Sequence, residues 1–155
     1  MVNDENSIIK DQEITYSKNS EDVKLVVEEG TIYGPLTLTE NKDDLTPVVL
    51  IIEGSGPTDR NGNSPIAGDN NSLKMIADQL AVNGIASLRY DKRGIAGSAG
   101  VEINEKDLRF EDYINDVVAW LEILKQDQRF SDVFVLGHSQ GSLLGMAAAQ
   151  EEIMY

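Results

Sequence analysis

Five consecutive aliphatic residues, 48–52 (VVLII), constrain the fold of this chain more than any other feature. A strand with one face in solvent alternates apolar and polar residues, whereas a strand of a parallel sheet is covered on both faces and is apolar throughout. The run is followed by residues 54–71, where Gly, Pro, Asp and Asn occupy most positions. The pattern therefore predicts a buried parallel strand and then a long loop, and long loops in compact domains are usually functional.

Strands and helices are expected to alternate after this loop. Apolar residues three or four apart indicate helices, and short β-branched runs indicate strands. The predicted elements are a helix with Ser72 as its N-cap that stops at Asn83, a strand over 85–90, a helix over 107–127, a strand over 131–136 and a helix over 140–154. This order is typical of an α/β fold with a mostly parallel sheet and flanking helices.

The length of 155 residues fits one domain. Residues 1–21 are polar and charged, and we expect them to form a loose N-terminal arm. Residues 22–155 would form the domain. Within it, two strand-like runs at 22–29 and 31–39 flank Gly30 and predict an antiparallel hairpin.

Charge and composition exclude several classes of function. The formal net charge is −14 and there is no basic stripe, so we expect neither nucleic acid nor an anionic membrane as a partner. The absence of cysteine excludes disulfides and thiolate metal sites. Residues 1–5 do not resemble a leader, so we expect a cytoplasmic protein, with a secreted protein that has lost its leader as the alternative.

Oxygen-bearing side chains alternate over residues 59–63 (DRNGN), which suggests a calcium loop. An EF-hand loop needs glycine at its sixth position and glutamate at its twelfth. Counted from Asp59, those positions hold Ser64 and Asn70. We therefore expect neither a metal nor a cofactor.

The motif that points most directly to chemistry is Gly137-His138-Ser139-Gln140-Gly141, which matches G-x-S-x-G between a predicted strand and a predicted helix. In such a nucleophile elbow the serine adopts a positive φ and exposes its hydroxyl above the sheet. Glycines fit two residues before and after it, where side chains would collide with the strand and the helix. Ser139 is therefore the predicted nucleophile, and the alternative is an incidental serine in a glycine-rich turn.

A second motif, residues 53–59 (EGSGPTD), follows the buried strand. Attack on an acyl carbon creates an oxyanion that needs two aimed N–H donors. We expect these donors to be the backbone N–H of Gln140, which follows the nucleophile, and that of Ser55 in this loop. The alternative interpretation is a plain glycine turn.

Three segments together resemble the N-terminal half of an α/β-hydrolase of the bacterial esterase and acyl-peptidase type. They are residues 53–57 (EGSGP) with 59–62 (DRNG), 90–94 (YDKRG) and 137–141 (GHSQG), in family order. The resemblance covers residues 22–155. It implies a small acyl substrate, Ser139 as the nucleophile, and an oxyanion hole formed by the N–H groups of Ser55 and Gln140. Glu53 departs from the pattern, since many members have His there.

A second departure concerns the rest of the catalytic triad. In the family an Asp or Glu and then a His follow the serine, but His138 is the only histidine of this chain. It is adjacent to Ser139, where neighbouring side chains diverge, so we expect it to pack beside the sheet. Glu151 and Glu152 lie too far along a helix to orient a base. The expectation is a fold truncated after the elbow helix, without the triad acid and His, and inactive or nearly so by itself.

The leading hypothesis is thus a serine hydrolase of carboxylic esters or related acyl substrates. The alternative is a non-catalytic module that binds an acyl ligand or a protein through the same loops. Asp91 and Arg93 are expected to pin the loop after the second parallel strand, and Trp120 to pack in the core. The strand at 132–136 would leave an exposed edge, which predicts self-association or pairing with a missing C-terminal half.

Overall fold

The computed structural model describes residues 19–153 except 42, 43, 102, 103 and 105. Its elements alternate as expected, with a 3-10 turn at Ala96–Ser98. The strands and helices are β1 (Ser20–Val27), β2 (Gly30–Thr37), β3 (Thr46–Ile52), α1 (Ser72–Val82), β4 (Ala86–Arg89), α2 (Phe110–Gln126), β5 (Phe130–Gly137) and α3 (Gln140–Ile153).

The strands form one mixed sheet in the order β1-β2-β4-β3-β5. β3 runs parallel to both β4 and β5, and Leu50 lies opposite Leu88 on one side and Val135 on the other. β1 and β2 form an antiparallel hairpin that joins the parallel part through β4. The α/β fold and the N-terminal hairpin expected from the sequence are confirmed.

β3 is buried on both faces, as its aliphatic run predicts. Leu50 and Ile52 belong to a cluster that includes residues of α2 and α3, whereas Ile51 belongs to a second cluster with Leu73 of α1. Helices therefore cover both faces of the strand, and its carboxyl end is held between them. Trp120 of α2 is fully buried in the first cluster, which confirms its predicted role in packing.

The N-terminus of α1 differs from the prediction. The helix begins at Ser72, and its N-cap is Asn71, which has a φ of 52°. The Ser72 N–H donates to the Oδ1 of Asn70 at 2.9 Å, and the N–H groups of Asn70 and Asn71 donate to the Oδ1 of Asn63. Ser72 as N-cap is therefore wrong, because asparagine side chains of the preceding loop satisfy these donors.

The N-terminal boundary is also revised. Of the predicted arm, residues 1–18 lie outside the described residues, while Ser20 and Glu21 already belong to β1 and pair with β2. Within the described part of the chain, no helix is both long enough and apolar enough to cross a membrane.

Candidate active site

Ser139 lies in a two-residue turn between the end of β5 and the start of α3. Its φ is 54°, a left-handed conformation that non-glycine residues rarely adopt. The turn is fixed by hydrogen bonds on both sides: the His138 N–H donates to the Ile52 carbonyl at 2.9 Å, and the Gly141 N–H donates to the His138 carbonyl at 2.9 Å. The serine is exposed beyond the carboxyl end of the sheet.

The two glycines of the motif are required by close approach of backbone. A Cβ on Gly137 would overlap the backbone of Gly141 and lie 2.5 Å from the Cα of Ser142. A Cβ on Gly141 would overlap the carbonyl oxygen of Ile52 and lie 2.6 Å from that of Glu53. These contacts let α3 start directly against the sheet, which is the steric reason predicted for glycine at both positions.

The loop after β3 lies against this turn. A Cβ built on Gly54 would lie 3.1 Å from the Nδ1 of His138 and 3.3 Å from the Cβ of Ser139. The structure thus brings the predicted donor loop next to the predicted nucleophile. The N–H groups of Ser55 and Gln140 have no acceptor among the residues that the structure describes.

A pocket of about 730 Å³ opens beside Ser139. Its walls come from the loop after β3, from α1 and from the end of β5. Small and apolar side chains dominate the lining, and its titratable side chains are Glu53 and His138. The apolar residues of the wall include Pro57, Ile66, Leu73, Ile76 and Leu136.

His138 differs from its predicted position. Its side chain is exposed and lines the pocket, so the expectation that it packs beside the sheet is wrong. The physical reason is that β5 ends at Gly137, so His138 lies beyond the strand and its imidazole is beside Gly54 rather than against a face of the sheet. In the described part of the chain, no hydrogen bond joins the imidazole to the Ser139 hydroxyl.

Glu53, which precedes the donor loop, is a buried carboxyl with 1% of its surface exposed. Among the described residues, neither of its oxygens has a well-aligned hydrogen bond, although the backbone N–H groups of Glu53 and Lys92 lower its pKa. Burial raises the pKa of Glu53 to about 8, and the nearby charge of Lys92 lowers it only in part. The protonated form of this carboxyl therefore persists to a higher pH than in an ordinary glutamate.

Lys92 is a functional candidate that sequence analysis missed. It lies in the loop after β4 and is 4% exposed. Its Nζ donates hydrogen bonds to the carbonyl oxygens of Gly54, at 2.5 Å, and Gly56, at 3.1 Å. Burial lowers the pKa of Lys92, and the charge of Glu53 opposes that shift. The available signal was a lysine three residues after a buried strand, within a segment already noted for the family resemblance.

Asp91 and Arg93 pin their loop, as predicted. The Asp91 carboxylate accepts hydrogen bonds from the backbone N–H and the Nε of Arg60, both at 2.7 Å, and from the Gly97 N–H at 2.9 Å. Arg93 donates through Nε and Nη2 to the two oxygens of Asp116, at 2.7 and 2.8 Å. The first set joins this loop to the loop after β3, and the second joins it to α2.

The candidate calcium loop is organised by its own side chains. The Oδ1 of Asp59 accepts hydrogen bonds from the N–H groups of Asn61 and Asn63, at 2.8 and 2.9 Å. The Oδ1 of Asn61 accepts one from the Nη1 of Arg89 at 2.6 Å. These bonds explain the residue types without a metal. Among the described residues, no group of three or more His, Cys, Asp or Glu side chains is placed to hold a metal ion.

Comparison with known proteins identifies sequence relatives. A family model described as serine aminopeptidase, S33, matches residues 69–153, which is more than half of the chain. Esterase EstD of Thermotoga maritima is 36% identical to this chain over 99 residues. That match covers 63% of this chain and 22% of EstD.

Solved structures show the same fold at low sequence identity. Est1E from Butyrivibrio proteoclasticus, with ferulic acid bound, has a TM-score of 0.67 at 22% identity and 85% coverage of this chain. Esterase Est22 has a TM-score of 0.67 at 19% identity and 92% coverage. Dienelactone hydrolase from Anabaena variabilis has a TM-score of 0.63 at 23% identity and 88% coverage. The chain spans 48%, 42% and 59% of these structures, respectively, and has an α/β-hydrolase fold.

Proposed function

Because this chain belongs to the serine aminopeptidase S33 family of α/β-hydrolases, we propose that it carries the nucleophile and oxyanion hole of a serine hydrolase. Its substrates are carboxylic esters or related acyl compounds. The observation that carries this proposal is the left-handed turn at Ser139, together with the N–H groups of Ser55 and Gln140, which have no acceptor among the described residues.

The reaction follows from this arrangement. The Oγ of Ser139 attacks the acyl carbon and gives up its proton to a base. The former carbonyl oxygen becomes an oxyanion that accepts hydrogen bonds from the N–H groups of Ser55 and Gln140. The alcohol then leaves with a proton, and water hydrolyses the acyl-serine ester.

The proton acceptor, in this account, comes from outside these 155 residues. His138 is the only histidine in the sequence, and it lies in the same turn as Ser139, directly before it. A general base must reach the hydroxyl proton within hydrogen-bond distance. We therefore assign the base and its orienting acid to further polypeptide, and expect this chain by itself to turn over esters very slowly.

The pocket supports an uncharged, small acyl group. Its wall beside Ser139 offers the aliphatic side chains of Leu73, Ile76 and Leu136, and none of the described arginine or lysine side chains lines it. Apolar walls bind the acyl chain by removing it from water, while the few polar groups orient the reacting carbonyl. A carboxylate or phosphate on the substrate would find no opposite charge there.

The test is hydrolysis of p-nitrophenyl butyrate with and without added imidazole, which can serve as an external base. We expect slow release of p-nitrophenol by the chain in buffer and a rate that rises with imidazole. Ser139→Ala, measured in parallel, reports the reaction of imidazole alone. His138→Gln should keep the imidazole-dependent rate, because the account gives His138 no role as the base.

Two outcomes would contradict the proposal. Equal rates for the parent and Ser139→Ala at every imidazole concentration would show that Ser139 is not the nucleophile. Binding of butyrate esters that survives Ser139→Ala, with no turnover by either protein, would favour the non-catalytic binding module instead.

A further inference from the structure

The buried ammonium group of Lys92 donates its hydrogen bonds to the backbone of a neighbouring loop. Its side chain is almost fully removed from solvent, and its ammonium donates to two carbonyl oxygens of the loop after β3, those of Gly54 and Gly56. Burial of an ammonium costs free energy that a solvent-facing residue would avoid. The hydrogen bonds to these two carbonyls offset that cost, and they restrain the loop that passes beside Ser139.

The bond to Gly54 determines where the next N–H points. The carbonyl of Gly54 and the N–H of Ser55 belong to one trans peptide group, so they point in opposite directions. Because Lys92 holds the carbonyl on its own side of the loop, the N–H is turned away from Lys92. The Gly54 backbone contacts the Ser139 turn, and Ser55 lines the pocket there.

The bond to Gly56 fixes the loop at a second point. The next residue is Pro57, which has no N–H, so this peptide group offers no donor that would compete for the oxyanion. Two anchors two residues apart restrain the rotation of the Gly54–Ser55 peptide, which glycine would otherwise leave free.

The charge of Lys92 acts in the same direction as its hydrogen bonds. An ammonium on the carbonyl side polarises the peptide group and strengthens its N–H as a donor. Burial lowers the pKa of Lys92, and the charge of the neighbouring acid Glu53 favours its ammonium form.

We propose that Lys92 is a positioning residue that aims the N–H of Ser55 at the oxyanion formed on attack by Ser139. This inference rests on the proposed function and adds a residue to it. Lys92 touches neither the substrate nor the reacting atoms, so its removal should slow the chemical step more than it weakens binding.

The test is the kinetics of Ser139 phosphonylation by a fluorophosphonate, with imidazole as the base, for Lys92→Met, Lys92→Arg and the parent. We expect Lys92→Met to lower the maximal rate constant by roughly 10- to 100-fold, less than or comparable to the loss of one oxyanion-hole donor. The inhibitor concentration at half-maximal rate should change by less than about threefold. Lys92→Arg, which keeps a charged donor, should recover most of the rate.

Lys24→Met is the matched control, because Lys24 is exposed on β1 and lies away from the pocket. Its kinetics should equal those of the parent. Thermal unfolding of every variant shows whether it is folded at the assay temperature. If Lys92→Met does not fold, the comparison of Lys92→Arg with the uncharged Lys92→Gln replaces it, and Arg should be the faster of the two.

The outcomes separate this inference from the proposed function. Absence of an adduct on the parent protein would contradict the proposed function and remove the inference with it. An adduct on the parent that forms equally fast on Lys92→Met, or equally fast on the Arg and Gln variants, would overturn only the role of Lys92. A change confined to the half-maximal concentration would also overturn it, because it would indicate a role in binding.

Discussion

Gly141 of α3 lies directly against the carbonyl oxygen of Ile52, so that a Cβ at this position would overlap that oxygen. This contact seats the first turn of α3 on the end of β3, and Ser139 is held in the turn between them. A hydrogen bond from the His138 N–H to the same Ile52 carbonyl holds the two backbone segments together.

The first prediction follows from this contact. Gly141→Ala should lower the free energy of unfolding by about 2 kcal/mol or more, since the added methyl must displace packed backbone. Gly100→Ala is the control, because a Cβ there meets nothing within 4 Å. Urea denaturation measures both, and equal stability of the two variants would contradict the account of the elbow.

A second prediction concerns the buried carboxyl of Glu53. Its pKa is about 8 in the folded protein, against an ordinary value of 4.5. Between these values the unfolded chain has released the proton that the folded protein keeps, so rising pH favours the unfolded state. The free energy of unfolding should therefore fall as the pH rises through this window and level off above it.

Glu53→Gln isolates this contribution. Each pKa unit corresponds to about 1.4 kcal/mol. The free energy of unfolding of the variant minus that of the parent should therefore rise by a few kcal/mol from acidic to mildly alkaline pH. Glu122→Gln on the exposed face of α2 controls for the loss of one acidic residue. Denaturation curves over this pH range provide the measurement. A difference between Glu53→Gln and the parent that does not change with pH would refute the raised pKa.

A third prediction concerns the edge of the sheet. Among the strands of the described chain, β5 pairs only with β3, and Phe134 on it is 54% exposed. An unpaired strand edge with apolar side chains favours pairing with another chain. We propose that, in the absence of the further polypeptide that would otherwise pair with this edge, a second copy of this chain occupies it, so that these 155 residues self-associate in solution.

Sedimentation velocity over a range of concentrations tests this association. Phe134→Lys should shift the distribution toward monomer, because a charge on an edge strand disfavours strand pairing. Val26→Lys, on the opposite edge strand β1, should not. A single sharp monomer boundary for the parent at high concentration would contradict the proposal.

Local patterns were sufficient to predict most of the fold. The aliphatic run of β3 predicted burial on both faces, because only a strand covered by helices on each side tolerates consecutive apolar residues. The G-x-S-x-G motif predicted the left-handed turn at Ser139, because the stereochemistry is contained in five residues. The hairpin of β1 and β2 followed from two β-branched runs and a glycine.

Features that depend on long-range contacts could not be predicted in this way. Lys92 and Gly54 are far apart in the sequence, and only the pairing of β3 with β4 brings their loops together. The exposure of His138 depends on the path of the Gly54 backbone beside it. The N-cap of α1 was assigned to Ser72 because the sequence does not reveal that Asn71 takes this position in a left-handed conformation, while Asn70 accepts the Ser72 N–H.

The central claim is that Ser139 is the reactive nucleophile of an assembled oxyanion site. Its most direct test is mass spectrometry of the chain after exposure to a fluorophosphonate with and without imidazole, followed by peptide mapping of the adduct. Ser139→Ala is compared with Ser131→Ala, a serine at the far end of β5. The account predicts one imidazole-dependent adduct on the Ser139 peptide in the parent and in Ser131→Ala, and none in Ser139→Ala. An adduct that persists in Ser139→Ala, or no adduct on the parent at any imidazole concentration, would contradict it.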